Sequence, residues 1–153
     1  MSNITTEQIK ELRERTGISI AQCKKALEDA GGDMNKALEF LKEKGAEIAE
    51  KKSARELHAG VVTSYLHNNG QVGTLVQLHS ETDFVSKNPE FRVLADDIAM
   101  HITAMDPADV TELLAQPFIK DPSLTIDDLI KRYVQKFGER IELARFVRFS
   151  NAG

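Results

Sequence analysis

The chain holds a single cysteine, Cys23. One thiol excludes an internal disulfide and a multi-thiolate metal site. Nor is there an apolar run near the length of about 20 residues that a membrane-spanning helix needs. The opening residues, MSNITTEQIKELRERTG, are polar and helical in pattern, unlike a signal or transit peptide, so the expected setting is cytoplasmic. A basic excess is missing too. Formal net charge is -4, with the signs balanced over residues 1–52 and acid in excess beyond them. A protein held on nucleic acid through phosphate contacts needs a basic face, so direct nucleic-acid binding is not expected.

Chemistry-bearing motifs are equally scarce. The sequence has no glycine-rich phosphate loop of the P-loop type. His58, His67, His79 and His101 do not fall at metal-ligand spacing. Cys23 lies on an apolar helical stripe, where a thiol behaves as a small buried hydrophobe. Asp96-Asp97 and Asp127-Asp128 are neighbours on helices and therefore point about 100° apart, which does not make a shared carboxylate site. No catalytic residue, cofactor or metal is expected.

What the sequence does contain is an ordinary folding pattern in two parts. Its 153 residues are 41% hydrophobic and 29% charged, which suits a folded chain. Residues 1–45 read as three short helices. Thr5 with Gln8 forms a capping box, with Ile4 as the preceding staple and Ile9 and Leu12 as the apolar stripe. Thr16-Gly17 ends that helix. Ser19 with Gln22 reads as a second capping box, followed by Ile20, Cys23, Ala26 and Leu27 at helical spacing. Gly31-Gly32 stops the second helix, Asp33 caps the third, and Met34, Ala37, Leu38 and Leu41 line its buried face. Residues 46–56, AEIAEKKSARE, have high helix propensity and a thin apolar stripe, which predicts an exposed helical linker.

Residues 57–153 predict an α+β core in which helices cover a small antiparallel sheet. GVVTSYLH and QVGTLVQLH are β-branched and aromatic, and Asn68-Asn69-Gly70 between them signals a hairpin turn. RIELARFVRFS alternates as a strand and suits a third position in that sheet. Asn88 caps a long helix with Pro89 at its first position, and Phe91, Leu94, Ala95, Ile98, Ile102 and Met105 mark its buried face. Asp106-Pro107 is expected to start a short helix carrying Val110, Leu113 and Leu114. Thr125 and Asp128 start another that carries Leu129, Ile130, Tyr133, Val134 and Phe137 and ends at Gly138.

Between strand and long helix lies HSETDFVSKNPEF, with Phe84 in a turn. One reading folds Phe84 and Val85 back onto the core, as loop aromatics usually do. The other presents Phe84 outward as an anchor for a partner, since aromatics beside polar residues make interface hot spots. Periodicity does not choose between them.

Three stretches resemble the elongation factor Ts family. They are KELRERTG with CKKALEDAGGD, then ETDFVSKNPEF, then QPFIKDPSLT with FGERIELARFVRF. They stand in the family's order and bracket nearly the whole chain. The resemblance implies a ubiquitin-associated-like first module and a protein that binds GDP-bound elongation factor Tu and promotes release of GDP and Mg²⁺. It further implies that Phe84 is a wedge into that partner's nucleotide domain, flanked by Thr82, Asp83 and Val85. Lys10, Arg13 and the loop Gly17, Ile18, Ser19 and Ile20 match positions that dock on the same domain. Many family members are longer, with a second core subdomain for which this chain has no room, and a homodimer could supply that subdomain in trans. Smaller departures, at Ser86 and in GERI (138–141), are expected not to touch the wedge. The competing reading is a non-enzymatic adaptor whose N-terminal module binds a ubiquitin-like or other protein.

Overall fold

The computed structural model describes residues 3–152. Helix α1 (Thr6–Thr16) begins at the expected capping box: the Gln8 N–H donates to Thr5 Oγ1 at 3.1 Å, and the Thr5 N–H donates to Gln8 Oε1 at 3.0 Å. Gly17 ends it in the left-handed region, φ 71°, with its N–H on the Arg13 carbonyl at 2.7 Å. Helix α2 (Ile20–Asp29) has only half of its predicted box. The Gln22 N–H donates to Ser19 Oγ at 3.3 Å, but the Gln22 side chain is drawn elsewhere: its Oε1 accepts from Gln135 Nε2 at 2.8 Å. Gln135 is buried, and a buried amide must find a partner. Leu12, Ile18, Cys23, Leu27, Ala37 and Leu41 form the core of this first module. Burial raises the Cys23 thiol pKa, as expected for a packing residue.

Helix α3 runs unbroken from Met34 to Lys51, through the start of the stretch read as a linker. The chain then turns and is no longer helical by Arg55. The thin stripe has a partner after all, because Ile48 and Ala49 pack on the second core. Gly45 lets the helices meet. A β-carbon there would lie 2.8 Å from Gln135 Oε1, so the missing side chain is what permits contact with helix α7 (Ile126–Phe137). Lys42 and Asp128 pair across the same contact at 3.4 Å.

In the second part, strands β1 (Ala59–His67), β2 (Val72–Ser80) and β5 (Ile141–Ser150) form an antiparallel sheet in the order β1-β2-β5. The carboxy-terminal run is thus the third strand, as predicted. Asn68 and Asn69 both take positive φ at the hairpin turn, which asparagine tolerates better than most residues. The fold class read from the sequence, α+β with a three-helix first module, is the observed one.

Helix α5 (Pro89–Met105) lies on one sheet face and buries Phe91, Leu94, Ala95, Ile98 and Ile102 completely. Met105 does not follow that stripe and is 45% exposed at the helix end. Asp106-Pro107 does not start the next helix. Asp106 takes φ 46° and closes α5, while Asp109 caps α6 (Val110–Ala115) by accepting the Glu112 N–H at 2.8 Å. Strands β3 (Pro117–Phe118) and β4 (Asp121–Thr125) add a small hairpin that periodicity did not signal. Among the described residues no layer covers the opposite sheet face, leaving Val62, Leu66, Leu75, Val147 and Phe149 exposed.

His101 fastens this hairpin to α5. The Ile119 N–H donates to His101 Nδ1 at 3.3 Å, so the ring proton must sit on Nε2, which donates to Gln116 Oε1 at 2.9 Å. A second proton would break the Ile119 bond inside a fully buried site. Burial accordingly holds the His101 pKa below its ordinary 6.5. The sign follows from linkage: the unfolded chain takes up this proton more readily, so the stabilisation is complete above about pH 6.5 and is lost as pH falls through the lower folded value. The thermal midpoint of the wild type should therefore drop between about pH 7.5 and pH 5, and His101→Gln should show a lower midpoint with a flatter pH dependence. Equal slopes in the two proteins by scanning calorimetry would assign the pH dependence to other groups.

Candidate functional site

Strand β2 ends at Ser80, and the chain passes through Glu81 and Thr82 into α4 (Asp83–Ser86), a single helical turn. Val85 and Ser86 are buried, at 3% and 5% exposure. Successive helical residues diverge by about 100°, so seating 85 and 86 inside turns 83 and 84 outward. Phe84 is 86% exposed. The core position that a loop aromatic would ordinarily fill is taken by Val85. Leaving the ring in water forgoes about 2 kcal/mol of possible burial energy in the free protein.

The turn is fastened from several sides. Ser80 Oγ donates to the Thr82 carbonyl at 2.9 Å, and the Ser86 and Lys87 N–H groups close the helical turn on Thr82 O and Asp83 O. The Thr82 N–H donates to Glu139 Oε1 at 3.0 Å, and Thr82 Oγ1 donates to Glu139 Oε2 at 2.7 Å. Glu81 accepts from the Arg140 N–H and pairs with Arg55 at 3.4 Å. Arg140 in turn donates to the Arg55 carbonyl at 2.7 Å. Beyond the turn, Asn88 Oδ1 accepts from the Glu90 N–H at 2.8 Å and starts α5.

Two expectations change here. GERI does touch the Phe84 turn, through Glu139 on Thr82 and Arg140 on Glu81. Ser86 belongs to the turn as well, buried and with its hydroxyl directed to Asp83 O. Glu139 was invisible as a site residue because 57 positions separate it from Thr82. Only the pairing of β2 with β5, Ser80 opposite Ile141, brings the two together.

The six positions matched to docking divide by exposure. Lys10 and Arg13 stand on the outer face of α1, and Ser19 and Ile20 are also exposed. Ile18 is 1% exposed and belongs to the module's core, so its side chain shapes the loop from inside. Gly17 lies under Lys136, whose Nζ would be 2.8 Å from a β-carbon at that glycine. The same ammonium pairs with Glu90, at the foot of the Phe84 turn. Gly17, Lys136 and Glu90 thus form a contact chain from the first module's loop to the base of α4. No group of three His, Cys, Asp or Glu residues placed to hold a metal occurs among the described residues.

Comparison with known proteins gives a consistent result. A family profile described as "Elongation factor TS" matches residues 81–153, and one described as "UBA-like domain" matches residues 5–47. The chain is 41% identical to "Elongation factor Ts" of Desulforamulus reducens, over 97% of this chain and 89% of that protein. It is 42% identical to the protein of the same name from Thermodesulfovibrio yellowstonii, over 95% of each. A longer relative of that name, from Trichlorobacter lovleyi, is 43% identical over 98% of this chain and 48% of its own length. The first of these alignments spans 194 positions although this chain has 153 residues, so that relative carries a segment absent here.

Proposed function

Because the chain belongs to the elongation factor Ts family, we propose that it is the guanine-nucleotide exchange factor of elongation factor Tu in the cytoplasm. It binds the GDP-bound partner, promotes release of GDP and of the partner's Mg²⁺, and leaves after GTP enters. The observation that carries this reading is the exposed Phe84 ring on a one-turn helix whose next two residues are buried. The wedge comprises Thr82, Asp83, Phe84 and Val85: the first and last hold the turn, and the middle two meet the partner. Docking of the first module through Lys10, Arg13, Ser19 and Ile20, with Gly17 and Ile18 setting the loop's shape, brings the wedge to its site.

Exchange of this kind requires no acid, base or metal from the factor. It requires that factor and nucleotide each weaken the other's binding, and linkage makes that antagonism reciprocal. A coupling of about 3 kcal/mol lowers nucleotide affinity by roughly two orders of magnitude. A rigid ring suits the task, because only contacts better made in the nucleotide-releasing state shift the equilibrium. The adaptor reading leaves the braced turn without a use.

Stopped-flow release of a fluorescent GDP analogue from elongation factor Tu tests this. The wild type should accelerate release, and Phe84→Ala should lower the maximal rate by about tenfold or more while affinity changes much less. No acceleration by wild type at concentrations where the proteins bind would sink the exchange function and favour the adaptor.

The open sheet face favours a second element of the same function, a homodimer. Val62, Leu66, Leu75, Val147 and Phe149 lie on all three strands of that face. A second copy fits because one sheet covers another face to face at about 10 Å, and a two-fold axis makes one patch serve both chains. Light scattering at tens of micromolar should give twice the 17.0 kDa chain mass, and Leu66→Asp with Phe149→Asp should halve it. A monomeric wild type would overturn the dimer.

A further inference from the structure

We propose that Glu139 is a positioning residue for nucleotide exchange: its carboxylate grips Thr82 so that Phe84 pushes instead of yielding. The proposal rests on the exchange reading above. A helix of four residues has too few internal bonds to hold itself, so the direction of Phe84 is set by whatever fixes its ends. The C-terminal end is fixed by burial of Val85 and Ser86. At the N-terminal end, Thr82 occupies the cap position with extended backbone, φ -130°, ψ 157°, yet its side chain makes no capping bond to α4. The hydroxyl is instead turned to Glu139, and so is the residue's own N–H. One carboxylate therefore takes both donors of the residue that opens the turn. Bonds to an ionised acceptor are shorter and stronger than neutral ones, and two from one residue fix orientation as well as distance.

Glu139 is itself well anchored. It follows Gly138, which closes α7 at φ 73°, and precedes the Arg140 N–H that donates to Glu81. The Phe84 turn is thereby tied to the junction of α7 and β5, the same helix whose Lys136 underlies the Gly17 loop. The Thr82 contacts lie at the surface, where they add little to global stability. Their effect is local: without them, the tip can rotate when it meets resistance, and the strain that should reach the partner is relaxed inside the factor.

The test uses the full chain with Glu139→Ala, Glu139→Gln and Thr82→Val, each with Phe84 and with Phe84→Ala, in the GDP-analogue release assay. Glu139→Ala should lower the maximal release rate about tenfold with half-saturation changed less than about twofold, the signature of an interaction used only in the displaced state. Glu139→Gln should recover most of the rate, because its amide can accept from the Thr82 N–H and donate to the hydroxyl. In the Phe84→Ala background, Glu139→Ala should have no further effect, since it acts through the ring. Equal loss in both backgrounds, or a raised half-saturation with an unchanged maximum, would overturn the proposal by showing that Glu139 meets the partner directly. Hydrogen exchange of the 83–86 amides in the free protein should speed up in Glu139→Ala and not in Glu139→Gln; unchanged exchange would also overturn it. That last measurement needs no partner, so it separates failure of the brace from failure of the exchange function.

Discussion

Strand β2 is hydrogen-bonded along both edges, to β1 and to β5, and its inner residues Val76 and Leu78 are buried under the helices. A strand held on two edges and one face cannot slide, because a shift of one residue would exchange its buried and exposed sides. Its last residue, Ser80, therefore emerges at a fixed place, and the one-turn helix that follows inherits that place. Glu139 and Arg140, the two residues just before β5, reach across to Thr82 and Glu81. The site is an extension of sheet register, which is why its parts come from such distant positions.

Local signals were legible wherever a residue satisfies its own neighbourhood. The Thr5–Gln8 box, the Asn88 cap and the glycine stops appear as read, since each closes within a few residues. Signals failed where a distant group competed. The Gln22 side chain leaves its box for Gln135, while its N–H stays on Ser19. Asp106 reads as a helix start and serves as a helix end, because aspartate suits both the extended backbone of a cap and the left-handed backbone of a stop. The direction of Phe84 was undecidable from pattern alone. It depends on which of two adjacent apolar residues wins the core, and Val85 does so.

The two halves are less separate than their composition suggests. Gly45 brings α3 against α7, the Gln22–Gln135 bond crosses the same contact, and Lys136 fills the space beside Gly17. A single helix, α7, thus touches the first module's loop, the long helix through Glu90, and the turn that leads to Glu139. In the proposed exchange reaction, force applied at the wedge must be balanced by a grip elsewhere on the same partner. A stiff path between grip and wedge keeps the reaction from being absorbed in a hinge.

The outward ring at Phe84 has a consequence for how this chain can change over generations. Because the ring contributes almost nothing to the core, substitutions there escape whatever scrutiny folding imposes and, in the proposed reaction, are judged only by performance with the partner. Val85, one residue on, is judged first by folding. Adjacent letters of one short motif are therefore filtered by different demands, and a variant selected for yield or solubility alone could lose the first without any sign of damage.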